Sequence, residues 1–161
     1  MPILFGPAFA AGIVAGAVMT AMVLMMKVAN VGLQMDMHRT WGAMLRMYGT
    51  SGWLVGLAVH FALSGIVGVL YAIGFAILGV SDGLWLWGLV GGLIHWAIAG
   101  MFMGMIHAMH PEIPEREPDP GAFMLKFGMP DIPAFLMGHL AYGVVFGIVY
   151  AALTIGLDAA F

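Results

Sequence analysis

Two histidines, His60 and His139, stand 79 residues apart, and two tyrosines, Tyr71 and Tyr150, repeat the same interval. Imidazole is the side chain best suited to bind a transition metal or to carry a proton near neutral pH. The chain has 6 histidines and 16 methionines and no cysteine. "MDMH" at 35–38 and "MGMIHAMH" at 103–110 resemble stretches that bind soft ions, since copper(I) favours thioether and imidazole donors. Met25 and Met101 correspond at an interval of 76. Two histidines and two methionines on converging helices would form a four-donor soft metal site from His60, His139, Met25 and Met101. The same histidine pair could instead be cofactor-binding, clamping a b-type haem or holding the magnesium of a chlorin.

Plainer roles stand beside these. A histidine in an apolar segment often donates one hydrogen bond to a neighbouring helix, and methionine is an adaptable packing residue. An intramembrane ionisable group also suits a proton or substrate path. The structural role leads, with no cofactor expected; copper or a tetrapyrrole follows, and then a path. His95 lacks a histidine mate, falling on Met19, and is the weaker cofactor-binding candidate and the better lining for a polar cavity. His38, His107 and His110 are expected at a solvated loop surface.

The elements that must position these groups are apolar. Of 161 residues, 63% are hydrophobic and 8% charged, with a mean hydropathy of +1.03. A soluble domain carries roughly a quarter charged residues, and a bilayer removes that need. Four segments can cross about 30 Å of hydrocarbon: about 5–28, 53–80, 84–109 and 132–157. The first is too long and lacks the basic flank of a signal peptide, so it is expected to be a permanent membrane helix. "GVSDG" at 79–83 is a tight turn. The long connections, 29–52 and 110–131, hold the short apolar stretches "WGAMLRMY" and "GAFMLKF", expected as surface helices. The proline-rich "PEIPEREPDP" is expected to be an extended, solvated linker. Lys27, Arg39, Arg46, Arg116 and Lys126 all fall on the long-loop side. The positive-inside rule therefore puts the loops in the cytoplasm and both termini outside a prokaryotic inner membrane.

"GAMLRMYG" at 42–49 returns as "GAFMLKFG" at 121–128. At the same 79-residue interval Gly68 and Ala72 fall on Gly147 and Ala151, while Gly12 and Gly16 fall on Gly88 and Gly92 at 76. The expected fold is an all-α membrane protein, a single domain over 1–161. Its four transmembrane helices form two parallel-repeat hairpins (about 5–80 and 84–161) about a pseudo-twofold axis along the membrane normal. Small residues step by four at Gly12/Gly16, Gly56/His60/Ser64/Gly68, Gly91/His95/Ala99 and His139/Gly143/Gly147, marking close helix contacts.

"MTAMVLMMKVANVGLQMDMHRTWGAML", "LWGLVGGLIHWAIAGMFMGMIHAMHP" and "PGAFMLKFGMPDIPAFLMGHLAYGVVFGIVY" together resemble a family of small four-helix prokaryotic membrane proteins known as a domain of unknown function. The most specific parts are "HW" with "MHP" in the third span and "GHLAYG" in the fourth. The resemblance implies the four-span fold and supplies no catalytic residue. The chain has no glycine-rich phosphate loop and no HExxH, and its few cations create no field for nucleic acid. The expected function is therefore non-enzymatic: an accessory or structural subunit against a larger respiratory or photosynthetic membrane complex, or a homo-oligomer. A metal-binding or haem/chlorin-binding protein using His60 and His139 is the alternative, and a small transporter or channel is the third.

Overall fold

The computed structural model describes residues 3–110 and 112–158. The expected positions of the two chain ends fall partly on residues 1–2 and 159–161, outside the described residues. The chain is all-helical: α1 (Phe5–Val28), α2 (Met37–Met44), α3 (Gly49–Ile77), α4 (Leu84–Met103), α5 (Ile106–Met109), α6 (Ile113–Arg116) and α7 (Asp131–Asp158), with a 3-10 turn at Ala122–Met124. Helices α1, α3, α4 and α7 are long and apolar enough to cross a membrane.

The elements begin and end for local reasons. Helix α1 ends at a chain reversal where Asn30 and Gly32 take positive φ. Helix α4 starts from Gly83, itself left-handed at φ +59, after the Ser81–Asp82 turn. The third span was expected to run unbroken to Met109 but stops at Met103. The 3-10 turn of the second loop presses on this region. The Phe123 ring lies over Gly100 and 4.9 Å from Trp96, and Ala122 fills the space beside Gly104. Two further expectations are corrected. "PEIPEREPDP" contains the short helix α6, because its acids find cations to pair with, and "GAFMLKF" forms one 3-10 turn, not a surface α-helix.

Helix α1 packs on α3, α4 on α7, and α1 on α7, whereas α3 scarcely touches α4 although only a tight turn joins them. Glycines set the close approaches within each hairpin. A methyl group on Gly12 would overlap the Ser64 carbonyl, and one on Gly68 would lie 2.8 Å from the Gly12 Cα. In the second hairpin Gly88 faces Gly143, and Gly147 faces Leu84, all backbone against backbone. Around the bundle the order is α3, α1, α7, α4, and the ring is left open between α3 and α4.

Two apolar clusters close the bundle at its ends. Ala72, Phe75, Leu84, Tyr142, Phe146 and Tyr150 fill the end away from the loops. Met35, Met103, Ile106, Met124 and Phe135 fill the loop end. There Asp131, fully buried, accepts hydrogen bonds from the backbone N–H groups of Gln34 (3.1 Å) and Met35 (2.8 Å). The start of α7 is thereby stitched to the first loop.

Candidate functional site

Four histidines from four helices line one cavity of about 730 Å³: His38 on α2, His60 on α3, His95 on α4 and His139 on α7. Ligand sites typically occupy about 300–1,000 Å³, so a molecule of moderate size fits. The cavity wall also includes Leu70 of α3, Leu78 just after its end, and Trp87, Val90, Ile94 and Ile98 of α4, all of them exposed on the outside of the bundle. The cavity therefore opens sideways, through the gap between α3 and α4. The α3–α4 turn bounds this window at one end. At the loop end Trp41 of α2 stacks on Phe102 of α4 at 6.2 Å.

His38 enters the cavity because α2 folds onto α3. Asp36 caps α2 by accepting from the Arg39 N–H at 3.2 Å, and Gly56 leaves room for the His38 carbonyl. The His38 ring meets Trp53 at 5.0 Å and His60 at 5.4 Å, and the residue is 7% exposed. Burial first, then the neighbouring His60, pushes its imidazole down to about 4, against the opposing pull of Asp36. Asp36 is held in turn by Lys27 at 3.0 Å. His38 is neutral at pH 7, and its expected place at a solvated surface is corrected.

The other rings are fixed by carbonyls. His60 Nε2 lies 3.4 Å from the Gly16 carbonyl of α1. His139 Nδ1 lies 2.7 Å from the Phe135 carbonyl of its own helix. A carbonyl only accepts, so each of these nitrogens carries the proton and the other ring nitrogen keeps a free lone pair. His95 and His139 meet edge to face at 4.6 Å. His95 also lies 5.5 Å from the Tyr142 ring and 6.2 Å from the Tyr71 ring. The Tyr142 hydroxyl donates to the Ser64 carbonyl at 2.5 Å.

Three polar atoms of the cavity's lining residues are buried without a partner: Thr20 Oγ1, Tyr71 Oη and His95 Nδ1. A buried polar group left unpaired costs about 1–3 kcal/mol, and all three belong to residues that line this one cavity.

The expected donor sets fare unequally. His60 and His139 line the same cavity, but the histidine rings they meet are His38 and His95, not each other. Met25 and Met101 are 63% and 57% exposed. Each lies nine residues beyond the glycine that packs inward, Gly16 and Gly92, and nine residues at about 100° each turn half-way round the helix. The four-donor soft site from His60, His139, Met25 and Met101 is therefore not assembled. Among the described residues no group of three or more histidine or carboxylate side chains is placed to hold a metal ion. His95 lines the cavity, as its isolation in the repeat suggested. Thr20, Tyr71 and Tyr142 carried no sequence signal beyond being polar groups in apolar spans.

On the loop surface the acids of the second loop pair with cations of the first. Arg39 meets Glu117 at 3.2 Å, and Glu112 takes Arg46 at 3.5 Å and its own neighbour Arg116 at 3.8 Å. Glu112 also accepts a short hydrogen bond from the Tyr48 hydroxyl, which holds the carboxyl below its usual range and pushes the phenol up. These contacts tie the two loops together beneath the cavity. No protein family matches the chain, and neither does any curated protein or solved structure.

Proposed function

We propose that this is a non-enzymatic, multi-pass protein of the prokaryotic inner membrane that binds a lipid-soluble molecule carrying a hydrogen-bonding head group. The observation that supports this reading most strongly is the sideways-open cavity whose lining residues Thr20, Tyr71 and His95 each carry a buried polar atom without a partner. A ligand dissolved in the bilayer reaches such a cavity without crossing water, and its head group satisfies polar atoms that the protein leaves free. The loops face the cytoplasm and both termini face outward, on the distribution of the five cations. The two hairpins descend from one duplicated unit; the matching glycine contacts of Gly12 with α3 and Gly88 with α7 support that descent. The pseudo-twofold relation would then have opened on one side, with α1 against α7 but α3 apart from α4.

The test is retention of ligand. Protein taken from its native membrane and extracted with organic solvent should yield one lipid-soluble compound near stoichiometric amount. Ile98→Trp, which narrows the window, should release it. Wild-type protein carrying only the bulk phospholipid of the membrane would argue against the reading.

A second reading is favoured by a separate observation. Met25, Met101, Met105, Met129 and Met137 are all at least half exposed, and methionine adapts readily to a partner's surface. They suit an accessory subunit docked on a larger membrane assembly, and mass spectrometry of the gently solubilised complex tests it.

A further inference from the structure

We infer that the molecule bound in the cavity has an uncharged, flat, conjugated ring bearing carbonyl or hydroxyl oxygens, with an apolar tail: the class of the lipid-soluble quinones and quinols. The inference rests on the reading of the cavity as a ligand site and adds the chemistry of the occupant.

Charge comes first. Lys27 and Asp36 are the lining residues with a full charge at neutral pH, among those described; they lie at the loop end of the cavity and neutralise each other at 3.0 Å. Deeper, around His95, the wall offers only neutral groups. A carboxylate or phosphate head placed there would lack a counter-charge, and an unpaired buried charge is far more costly than a buried neutral polar group. Anionic lipids are thereby disfavoured at this depth. His95 is the twelfth residue of the 20-residue α4, which puts it roughly half-way through the span at 1.5 Å per residue.

Donors and acceptors come next. The Tyr71 and Thr20 hydroxyls can each give a proton to a carbonyl oxygen or take one from a hydroxyl. The unpaired Nδ1 of His95 does either, according to its tautomer, and the Nε2 of His139 is an acceptor because Nδ1 already donates to Phe135. A site that both donates and accepts suits a ring whose oxygens exist as carbonyls or as hydroxyls.

Shape is the third constraint. Around the unpaired atoms the wall is aromatic. The Tyr71 ring stands edge-on to Tyr142 at 5.6 Å and to Phe146 at 5.2 Å, and Phe135 stands edge-on to His139 at 4.5 Å. Rings arranged edge to face accept another flat ring readily. The exit past Leu70, Ile94 and Ile98 is apolar and leads to the bilayer, where a hydrocarbon tail lies at no cost in polar desolvation.

The experiment uses the full chain in nanodiscs of zwitterionic phospholipid, titrated with decylubiquinone and followed by quenching of tryptophan fluorescence. Trp41, Trp53 and Trp87 all line the cavity. Binding should saturate, and Tyr71→Phe and Thr20→Val, which keep side-chain shape, should each weaken it about fivefold to tenfold, the worth of one hydrogen bond. Leu54→Ala, on the outer face of α3, should leave it unchanged. Decanol and spin-labelled stearate are titrated in competition. If these displace each other but the quinone neither binds nor competes, the quinone class is overturned while the cavity remains a lipid site. If quinone binds but Tyr71→Phe and Thr20→Val are both without effect, the head group is not where the inference places it. If no probe saturates and none competes, both the class and the cavity reading fall.

Discussion

Gly143→Ala adds one methyl group where two helices meet backbone to backbone. The new Cβ would sit 2.7 Å from the Gly88 carbonyl carbon and 3.1 Å from the Gly92 nitrogen. Carbon atoms rest at about 3.5–4.0 Å, so α4 and α7 must separate by roughly 1 Å. Neither neighbour is a side chain that can turn aside. Overpacking of this kind costs about 1–3 kcal/mol. Replacing a helix glycine by alanine returns at most about 1 kcal/mol, leaving a net loss of up to about 2 kcal/mol. For a chain of this size that lowers the melting temperature by several degrees, at about 2–4 °C per kcal/mol. Gly74→Ala is the control, since a methyl there meets nothing within 4 Å and should cost nothing. Thermal unfolding of both variants in the same detergent, read by fluorescence-detected size exclusion, makes the comparison. Equal melting of Gly143→Ala and wild type would refute the close approach of α4 and α7.

Other consequences are independent of that contact. The folded-state pKa of His38 lies below its unfolded value, so the unfolded chain takes up a proton first. Stability should be flat above about pH 6.5 and fall as pH drops toward about 4, and His38→Gln should flatten part of that fall in melts across the range. Asp131→Ala removes the acceptor of two loop N–H bonds and should cost about 2 kcal/mol or more, with proteolysis of residues 29–36 becoming faster; unchanged stability and cleavage would mean the stitch carries nothing. A reporter inserted within 112–120 should read cytoplasmic and one after Phe161 external, and the opposite pair of readings would reverse the topology.

Sequence reveals where a membrane helix begins far better than which neighbours its residues meet. The bounds of α1 followed from hydropathy alone, and the small-residue steps at Gly12 and Gly143/Gly147 marked true backbone contacts, while Gly16 makes room for the Ser64 side chain. Met25 and Met101 show the weakness of such a guide: the repeat suggests a level shared with the histidines, yet each lies nine residues, about 13 Å, beyond the glycine that meets its histidine, and the helix turns it outward. The Gly91/His95 stripe has the spacing of a packing face, but α4 packs on α7 through Gly88 and Gly92, while Gly91 receives the Tyr71 ring of α3 and His95 is left to the cavity. His38 was illegible because its burial depends on α2 folding back against Gly56, a contact between segments with no shared periodicity. The break after Met103 depends likewise on Phe123 and Ala122, about twenty residues further on. Nothing local distinguishes Gly104 from the glycines that α4 tolerates within its run.

The most direct test of the lipid-binding cavity is electron density from crystals grown in a lipidic mesophase, using protein extracted from its own membrane without delipidation. The account predicts one continuous, elongated feature entering between Ile98 and Leu70 and ending within hydrogen-bonding distance of Tyr71 and His95. A structure in which α3 closes against α4, or in which the space beside Tyr71 and His95 holds only water, would contradict it.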